Sequence, residues 1–281
     1  MDLFKNIYTF KDIGKRKIQE DNFFFFSFKD LNNNVFNTIF IFDGHGAKDG
    51  ILPLPDFIIK EKILVKKFNE YFATQIVTKQ ALTNLFLELD SNLRNKINKN
   101  IGTCFSAIIL TQECFFTLIL GDTSINIFDT DNNLFFKTTP HNFKNNEELQ
   151  RYKNNKEDKY IKNDRYKGLL MTRTLGDFDC KTIGSALIPI PDIKKFYNNK
   201  DFIFVLKTDG IITASKILVS KYKDGLITDF LEKKEFQDNA CLIIFSTKYI
   251  NSKSLKGEKI ILENLEYETM YYNFLLYVYN D

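Results

Sequence analysis

The sequence predicts an α+β fold in which antiparallel β-sheets carry helices on their outer faces. Eight short apolar segments, rich in phenylalanine and isoleucine and flanked by Asn, Asp and Gly, have the length and composition of β-strands. Helical patterns are fewer and come in blocks rather than in strict alternation with the strands, which favours antiparallel sheets. The chain has 281 residues, enough for one large domain with a substantial core.

The predicted strands are distributed over most of the chain. Two of them are joined by a short polar turn that begins at Thr111, as in an antiparallel hairpin. The predicted strands are residues 22–28, 35–42, 105–110, 115–120, 125–129, 134–138, 202–207 and 241–246.

Three segments have helical patterns. Apolar residues from Leu82 to Ile97 recur with a 3.6-residue period, and Thr78 is placed to cap the start of that helix. A second amphipathic helix is predicted over residues 56–72 and a third, shorter one over residues 224–233.

The composition argues against several classes of function. Lys and Arg total 39 against 36 Asp and Glu, so the net charge of +3 does not indicate a nucleic-acid partner. No apolar stretch reaches the roughly 18 residues of a membrane-spanning helix, and the amino terminus lacks the apolar core of a signal peptide. The four cysteines form no C-x-x-C pair, which fits buried free thiols in a reducing compartment. We therefore expect an intracellular monomer, cytoplasmic or else nuclear, that binds neither nucleic acid nor membrane.

Several phosphate-handling motifs are missing from the sequence. It contains no G-x-x-x-x-G-K-[ST] nucleotide loop, and no cysteine has an arginine six positions later, as a thiolate phosphatase requires. His45 and His141 are the only histidines, so a histidine-rich zinc site is not available. A metal would need oxygen ligands, which favour Mg²⁺ or Mn²⁺.

Four aspartates lie next to predicted strands, where a rigid sheet can direct their carboxylates to one point. Asp43 and Asp209 each end an apolar strand and precede a glycine. Asp122 closely follows a third strand, and Asp238 precedes a fourth. The glycines let backbone approach an ion, so the carbonyl of Gly44 can also serve as a ligand. Because a single Asp-Gly pair is typical of a turn, the indication of a metal site comes from the combination and its order.

Eight short motifs follow one another between residues 14 and 245. The two most specific are Asp-Gly-His-Gly at residues 43–46 and Thr-Arg-Thr-Leu-Gly-Asp at residues 172–177, with Phe-Asp directly after it. The others are the runs at residues 16–21, 102–104, 121–123, 139–141, 208–210 and 238–239. In this order they resemble the motifs of the type 2C (PPM) family of metal-dependent protein phosphatases.

The resemblance implies a fold, a reaction and its cofactors. The implied fold is a four-layer α-β-β-α sandwich of two mainly antiparallel sheets flanked by helices. Residues 1–250 would form the catalytic domain, and residues 251–281 either an extension or closing elements of it. The implied reaction is hydrolysis of phosphoserine and phosphothreonine esters in phosphoprotein substrates. The nucleophile would be a water or hydroxide that bridges two Mg²⁺ or Mn²⁺ ions.

The resemblance also implies which residues surround the ions. In this assignment Asp43 bridges the two ions and the Gly44 carbonyl binds one of them. Asp209 and Asp238 bind the other ion. The residues implied to lie around the ions are Glu20, Asp21 and Asp122.

Two residues are implied to act on the substrate. Arg16 would grip the phosphate, and His45 would be the general acid that protonates the leaving alkoxide. The alternatives are that Arg16 is a surface cation and that His45 hydrogen-bonds to a ligand carboxylate. His141 is interpreted as structural, and Arg173 and Asp177 as residues that brace the fold through buried pairing.

The match departs from the family at two positions. The family usually has an aspartate where this chain has Thr213, and with the residue matching Asp122 it holds a third, loosely bound metal. Thr213 has no carboxylate, which puts that third site in doubt. Pro140 likewise replaces an aspartate of the family pattern.

Three functions remain compatible with the sequence. An active serine/threonine protein phosphatase is favoured because Asp43, Asp209, Asp238 and Arg16 are all present. A catalytically weak or inactive type 2C-like scaffold that binds phosphoproteins or partners stays open because of Thr213 and Pro140. The third is an unrelated metal hydrolase that acts on small phosphate esters.

Overall fold

The computed structural model describes residues 5–182 and 184–247, in which two antiparallel sheets pack face to face between layers of helices. The predicted α+β class and the four-layer α-β-β-α arrangement are confirmed. The segment 251–281, for which the sequence left two interpretations, lies outside the described residues.

The regular elements have the following bounds. The strands are β1 (Lys5–Asp12), β2 (Asn22–Lys29), β3 (Val35–His45), β4 (Gly102–Leu110), β5 (Cys114–Leu120), β6 (Ser124–Asp129), β7 (Leu134–Lys137), β8 (Ile161–Lys162), β9 (Arg165–Tyr166), β10 (Leu175–Gly176), β11 (Asp192–Tyr197), β12 (Phe202–Lys207) and β13 (Ala240–Ser246). The α-helices are α1 (Leu54–Lys60), α2 (Ile63–Phe72), α3 (Lys79–Leu93), α4 (Asn146–Asn154), α5 (Ser215–Lys223) and α6 (Ile227–Glu232).

The two large sheets have five strands and six strands. The first sheet has the strand order β1-β13-β12-β6-β7, and the second has the order β11-β5-β4-β3-β2, with β10 paired to β4. The predicted hairpin is confirmed as β4 and β5, in which Leu110 pairs with Phe115. Ile41, Ile127 and Phe204 are among the buried side chains that fill the space between the sheets.

Each sheet has its own helical cover. Helices α1, α2 and α3 pack on the second sheet through a phenylalanine-rich core, in which the rings of Phe86 and Phe105 stack with centroids 4.8 Å apart. Thr78 caps α3 as predicted, since its hydroxyl accepts a hydrogen bond from the Ala81 N–H at 3.1 Å. Helices α5 and α6 cover the first sheet through buried side chains that include Leu218.

Several predicted elements differ from the observed ones. The helix predicted over residues 56–72 is two helices, because Lys62 adopts a left-handed backbone (φ 54°) between α1 and α2. Helix α3 ends at Leu93, before Ile97. The helix predicted over residues 224–233 corresponds to the shorter helix α6, Ile227–Glu232. None of the helices in the described ranges has the length and hydropathy needed to cross a membrane.

Candidate active site

An acidic cluster lies at one end of the sandwich, where loops from both sheets meet. Asp43 is near the carboxyl end of β3, in the second sheet, and Asp209 follows β12, in the first. The Asp209 N–H donates a long hydrogen bond of 3.5 Å to Oδ2 of Asp43. Asp21 precedes β2, and Asp122 follows β5. The fold therefore brings together aspartates that the sequence places far apart.

The carboxylates of this cluster destabilise one another's charged forms. Burial raises the pKa of Asp21 to about 8, and the charges of Asp209 and Asp238 add to the rise. Burial together with the charges of Asp122 and Asp238 raises the pKa of Asp209 to about 6. Burial, Asp21 and Asp209 also raise the pKa of Asp43. Such a concentration of negative charge attracts cations.

The donor atoms of the cluster have the chemistry that hard divalent cations require. Oδ2 of Asp21 and Oδ1 of Asp122 are buried and have no hydrogen-bond partner among the described residues. Buried polar atoms normally have partners, so unpaired carboxylate oxygens in an acidic cluster are suited to coordinate an ion. Carboxylate oxygens are the ligands that Mg²⁺ and Mn²⁺ prefer.

The carboxylates of the cluster are not arranged as a complete set of metal ligands in this structure. In the part of the chain that the structure describes, no three His, Cys, Asp or Glu side chains form a group that could hold a metal ion as placed. Oδ2 of Asp238 accepts a hydrogen bond from Nη2 of Arg16 at 2.5 Å, and this contact raises the pKa of Arg16. Arg16 thus occupies Oδ2 of Asp238, and Oδ1 accepts a hydrogen bond from the Asn239 N–H at 2.8 Å, so an ion at this carboxylate would compete with both contacts.

Glycine lets the loops of the site approach closely. A Cβ on Gly44 would lie 2.3 Å from the carbonyl oxygen of Glu20. A Cβ on Gly210 would lie 2.0 Å from the carbonyl oxygen of Asn239. Larger residues at these two positions would separate the loops that carry the carboxylates.

Glu20 and Asn239 fix the geometry of these loops. Oε1 of Glu20 accepts a hydrogen bond from the Ala47 N–H at 2.7 Å, and burial raises the pKa of Glu20. The Glu20 N–H donates to Oδ1 of Asn239 at 2.9 Å, and Nδ2 of Asn239 donates to the Ile13 carbonyl at 2.9 Å. The sequence contained Asn239 within a recognised motif but gave no indication of this role.

His45 forms a pair with Asp177. Its Nε2 lies 2.9 Å and 3.0 Å from the two carboxylate oxygens of Asp177, whose side chain is 2% exposed. Burial lowers the pKa of His45, but the Asp177 carboxylate more than offsets this, so the pKa is raised. A Cβ on Gly102 would lie 2.5 Å from Nε2 and 2.1 Å from Oδ2, so only glycine fits beneath the pair.

The His45 pair bears on two sequence interpretations. Asp177 does form a buried pair, as predicted. Its partner is His45, the predicted general acid, and nothing in the sequence indicated that pairing. The observed partner of His45 is thus not one of the predicted metal ligands. Nδ1 of His45 is buried and has no hydrogen-bond partner in the described ranges.

Three other residues lie outside the acidic cluster. Arg173 binds Glu148 (Nη2 to Oε1, 2.6 Å) and Asp192 (Nη1 to Oδ1, 2.9 Å), which confirms its bracing role. His141 is buried and accepts a hydrogen bond from the Gly121 N–H at 3.1 Å, which confirms that it is structural. The carbonyl of Thr213 accepts a hydrogen bond from Lys207 Nζ at 2.9 Å.

The fold and the site define a class of α-β-β-α sandwich proteins with an acidic cluster where the two sheets end. The sequence pattern of the family described as Protein phosphatase 2C matches residues 16–216. The chain belongs to this family, which confirms the resemblance found in its motifs.

Solved structures share the fold at low sequence identity. A C. elegans sex determining protein is 17% identical with a TM-score of 0.66, over 86% of this chain and 65% of that one. Serine-threonine phosphatase 2C from Toxoplasma gondii is 18% identical with a TM-score of 0.58, over 85% and 94% of the two chains. A bacterial serine phosphatase is 16% identical with a TM-score of 0.58, over 87% and 98%. No curated protein sequence matches the chain.

Proposed function

We propose that this chain is a metal-dependent protein phosphatase that hydrolyses phosphoserine and phosphothreonine esters. The observation that carries the proposal is the cluster of mutually repelling carboxylates from both sheets, of which Asp21 is buried, Asp43 half-buried and Asp209 exposed, beside Arg16, in a member of the protein phosphatase 2C family. Such a cluster suits cations, and an adjacent guanidinium suits a phosphate ester. The substrates proposed are phosphoproteins.

Two Mg²⁺ or Mn²⁺ ions are proposed as cofactors. Asp43, the Gly44 carbonyl, Asp209 and Asp238 would hold them, with Glu20, Asp21 and Asp122 around them. When bound, a pair of such ions supplies an activated water and offsets the charge of the phosphate. The raised pKa values of Asp21 and Asp209 support this assignment, because a nearby cation would stabilise both carboxylates. No third ion is proposed, because Thr213 offers no carboxylate.

Arg16 is proposed to exchange partners during this reaction. Its guanidinium holds Asp238 in the structure, and its side chain is 56% exposed. If Asp238 turned to hold an ion, the guanidinium would be free to bind two phosphate oxygens through parallel N–H donors. Binding of the cofactor would thereby prepare the substrate site.

His45 is proposed to protonate the leaving serine or threonine oxygen. An alkoxide is a poor leaving group, and a positioned proton donor typically contributes about 10²- to 10⁴-fold. Asp177 would hold the ring through Nε2, which leaves Nδ1 as the nitrogen for proton transfer. We call Asp177 a positioning residue, because it acts through His45.

Phosphate release from a phosphothreonine peptide tests the proposal. We expect turnover that requires Mn²⁺ or Mg²⁺, stops on adding EDTA, and falls to background in Asp209→Asn. Asp224→Asn is the matched control, since Asp224 is exposed at the end of α5. Metal-independent turnover, or a preference for nucleotides or sugar phosphates over phosphopeptides, would contradict the proposal.

A catalytically weak or inactive scaffold is the second candidate. The contact between Arg16 and Asp238 favours this alternative. While it persists, the guanidinium of Arg16 is engaged by a carboxylate instead of a phosphate, and Oδ2 of Asp238 is engaged by the guanidinium instead of a metal ion. A protein that binds phosphopeptides normally but shows no turnover at saturating Mn²⁺ would establish this alternative.

A further inference from the structure

Two sheet edges lie side by side, and each has one neighbouring strand among those described. β7 ends the first sheet and β11 ends the second. The ring of Phe196 lies 5.0 Å from that of Phe136 and 5.6 Å from that of Phe135, so the two strands form one continuous surface. We call residues 134–137 and 192–197, with Lys200, the β7–β11 edge. Edge strands of this kind are usually covered or otherwise protected from pairing with other chains.

The β7–β11 edge is both apolar and positively charged. Leu134, Phe135 and Tyr197 are 53%, 44% and 68% exposed. Lys200 Nζ lies 4.9 Å from the ring centroid of Phe135, and Lys194 Nζ lies 5.0 Å from that of Phe136. Lys195 follows Lys194 on β11. In the described ranges none of the three lysines forms an ion pair with an acidic side chain. This surface suits a ligand that is acidic and rich in aromatic residues.

The described chain ends beside this surface. The Thr247 N–H donates to the carbonyl of Phe202 at 3.1 Å, and Thr247 Oγ1 accepts from the Phe202 N–H at 2.9 Å. The ring of Phe202 lies 4.9 Å from that of Phe135, at the edge itself. The chain therefore leaves the first sheet next to the exposed rings.

The sequence that follows has the complementary chemistry. Residues 263–281 contain four acidic residues, six aromatic residues and no Lys or Arg. The 15 residues from 248 to 262 could extend over about 50 Å, enough to reach any point of the edge. A tether of this kind gives a local concentration on the order of millimolar, which favours the same chain over a second copy.

We propose that residues 263–281 bind the β7–β11 edge of their own chain, with acidic side chains on its lysines and tyrosine rings on its exposed aromatic residues. β12 begins at Phe202, beside the edge, and runs about 20 Å to the end that carries Asp209. The end of the edge formed by Leu134 and Tyr197 therefore lies away from the acidic cluster, whereas Asp192, which pairs with Ile119, lies at the opposite end. The contact does not depend on the proposed phosphatase activity.

Zero-length crosslinking of the full chain tests this contact. We expect a carbodiimide to join Glu263, Glu266 or Glu268 to Lys194, Lys195 or Lys200, as mapped by mass spectrometry. An equimolar mixture of ¹⁴N- and ¹⁵N-labelled chains should give these crosslinks within single chains only. Crosslinks between differently labelled chains would show a second copy on the edge, and crosslinks to other lysines would show another docking site. Either result overturns the proposal.

Amide exchange gives an independent readout on the full chain. Reversing the charge at residues 263, 266 and 268 (E263K, E266K, E268K) should speed exchange of the β7 and β11 amides by about tenfold. Glu258→Lys, in the preceding segment, is the matched control and should leave exchange unchanged. Turnover of a phosphothreonine peptide should stay at the wild-type rate in both variants. Unchanged exchange in the triple variant would overturn the proposal.

Discussion

At the scale of single residues, the proposed function depends on side chains that change or keep their partners. Arg16 and Asp238 are partners now and separate in the proposed active state. His45 and Asp177 are also partners now, and they are proposed to stay paired in the active state. The two pairs therefore differ in what their disruption should change.

Replacing Arg16 should affect metal binding and turnover in opposite directions. Arg16→Ala removes the competitor for Asp238, so Mn²⁺ affinity should rise by about two- to fivefold, the range of an exposed ion pair. Turnover of a phosphothreonine peptide should fall, because the phosphate loses its clamp. Calorimetric titration with Mn²⁺ measures the first effect, and Lys15→Ala controls for the loss of one positive charge nearby. Weaker Mn²⁺ binding in Arg16→Ala would exclude the exchange of partners.

Replacing Asp177 should show a dependence on the leaving group. Asp177→Asn should slow hydrolysis of a phosphothreonine peptide by about 10²-fold and of an aryl phosphate much less, because an aryloxide needs no proton. His45→Gln should behave in the same way, and the double variant should be no slower than His45→Gln alone. Asp90→Asn, which removes a buried partner of Lys181, is the structural control. Equal losses on both substrates would remove Asp177 from the positioning role.

The sequence indicated which aspartates come together in the acidic cluster, but not the hydrogen-bond partners of the residues around it. Asp43 and Asp209 could be found because each has a local signature, an apolar strand before it and a glycine after it. The partners of His45 and Glu20 lie 132 and 219 positions away in the sequence. Contacts at such separations arise from tertiary packing and leave no local pattern in a single sequence.

At the scale of elements, the strands of the core were predictable, and of the edge strands β2 and β7 were predicted whereas β1 and β11 were not. β3, β4 and β12 are buried on both faces and read as continuous apolar runs. β11 carries two adjacent lysines and is exposed along most of its length. It therefore lacks the apolar run by which strands were predicted elsewhere in the chain. Helix α4 was likewise missed, because it is polar and buries Glu148 and Tyr152.

Glu148 should make stability depend on pH in the acid range. Burial would raise its pKa, but hydrogen bonds from Arg151, Arg173 and Thr172 outweigh burial and lower it to about 2. A lowered pKa stabilises the fold above the unfolded value of about 4.3, and this contribution is lost as pH falls towards 2. The shift corresponds to about 3 kcal/mol.

Urea unfolding at two pH values tests this contribution. The difference in unfolding free energy between the wild type and Glu148→Gln should be largest near pH 6 and shrink at pH 3. Glu147→Gln, on the exposed side of the same helix, should show no such change. A difference for Glu148→Gln that is the same at both pH values would contradict the assignment.

At the scale of the whole molecule, the acidic cluster joins the two sheets. Asp43 belongs to one sheet and Asp209 follows a strand of the other, so an ion held by both would connect the two halves of the sandwich. The repulsion between these carboxylates works against that connection in the metal-free protein. The fold class could be predicted from the sequence. That Asp43 and Asp209 meet across the two sheets could not, because it depends on how the sheets stack.

Mn²⁺ should therefore stabilise the protein against heat. Saturation at about 100 times the dissociation constant should add about 2.7 kcal/mol, seen as a rise of the melting temperature. Asp209→Asn should lose most of this rise, whereas Asp224→Asn should keep it. A rise of equal size in all three proteins would point to binding elsewhere.

The location of bound manganese tests the central claim most directly. Anomalous diffraction at the manganese edge, from crystals grown with Mn²⁺, should show two peaks in the cluster between the ends of β3 and β12. The carboxylates of Asp43, Asp209 and Asp238 should coordinate them, with Asp238 turned away from Arg16. A cluster without anomalous density, with Asp238 still bound to Arg16 at saturating Mn²⁺, would contradict the account.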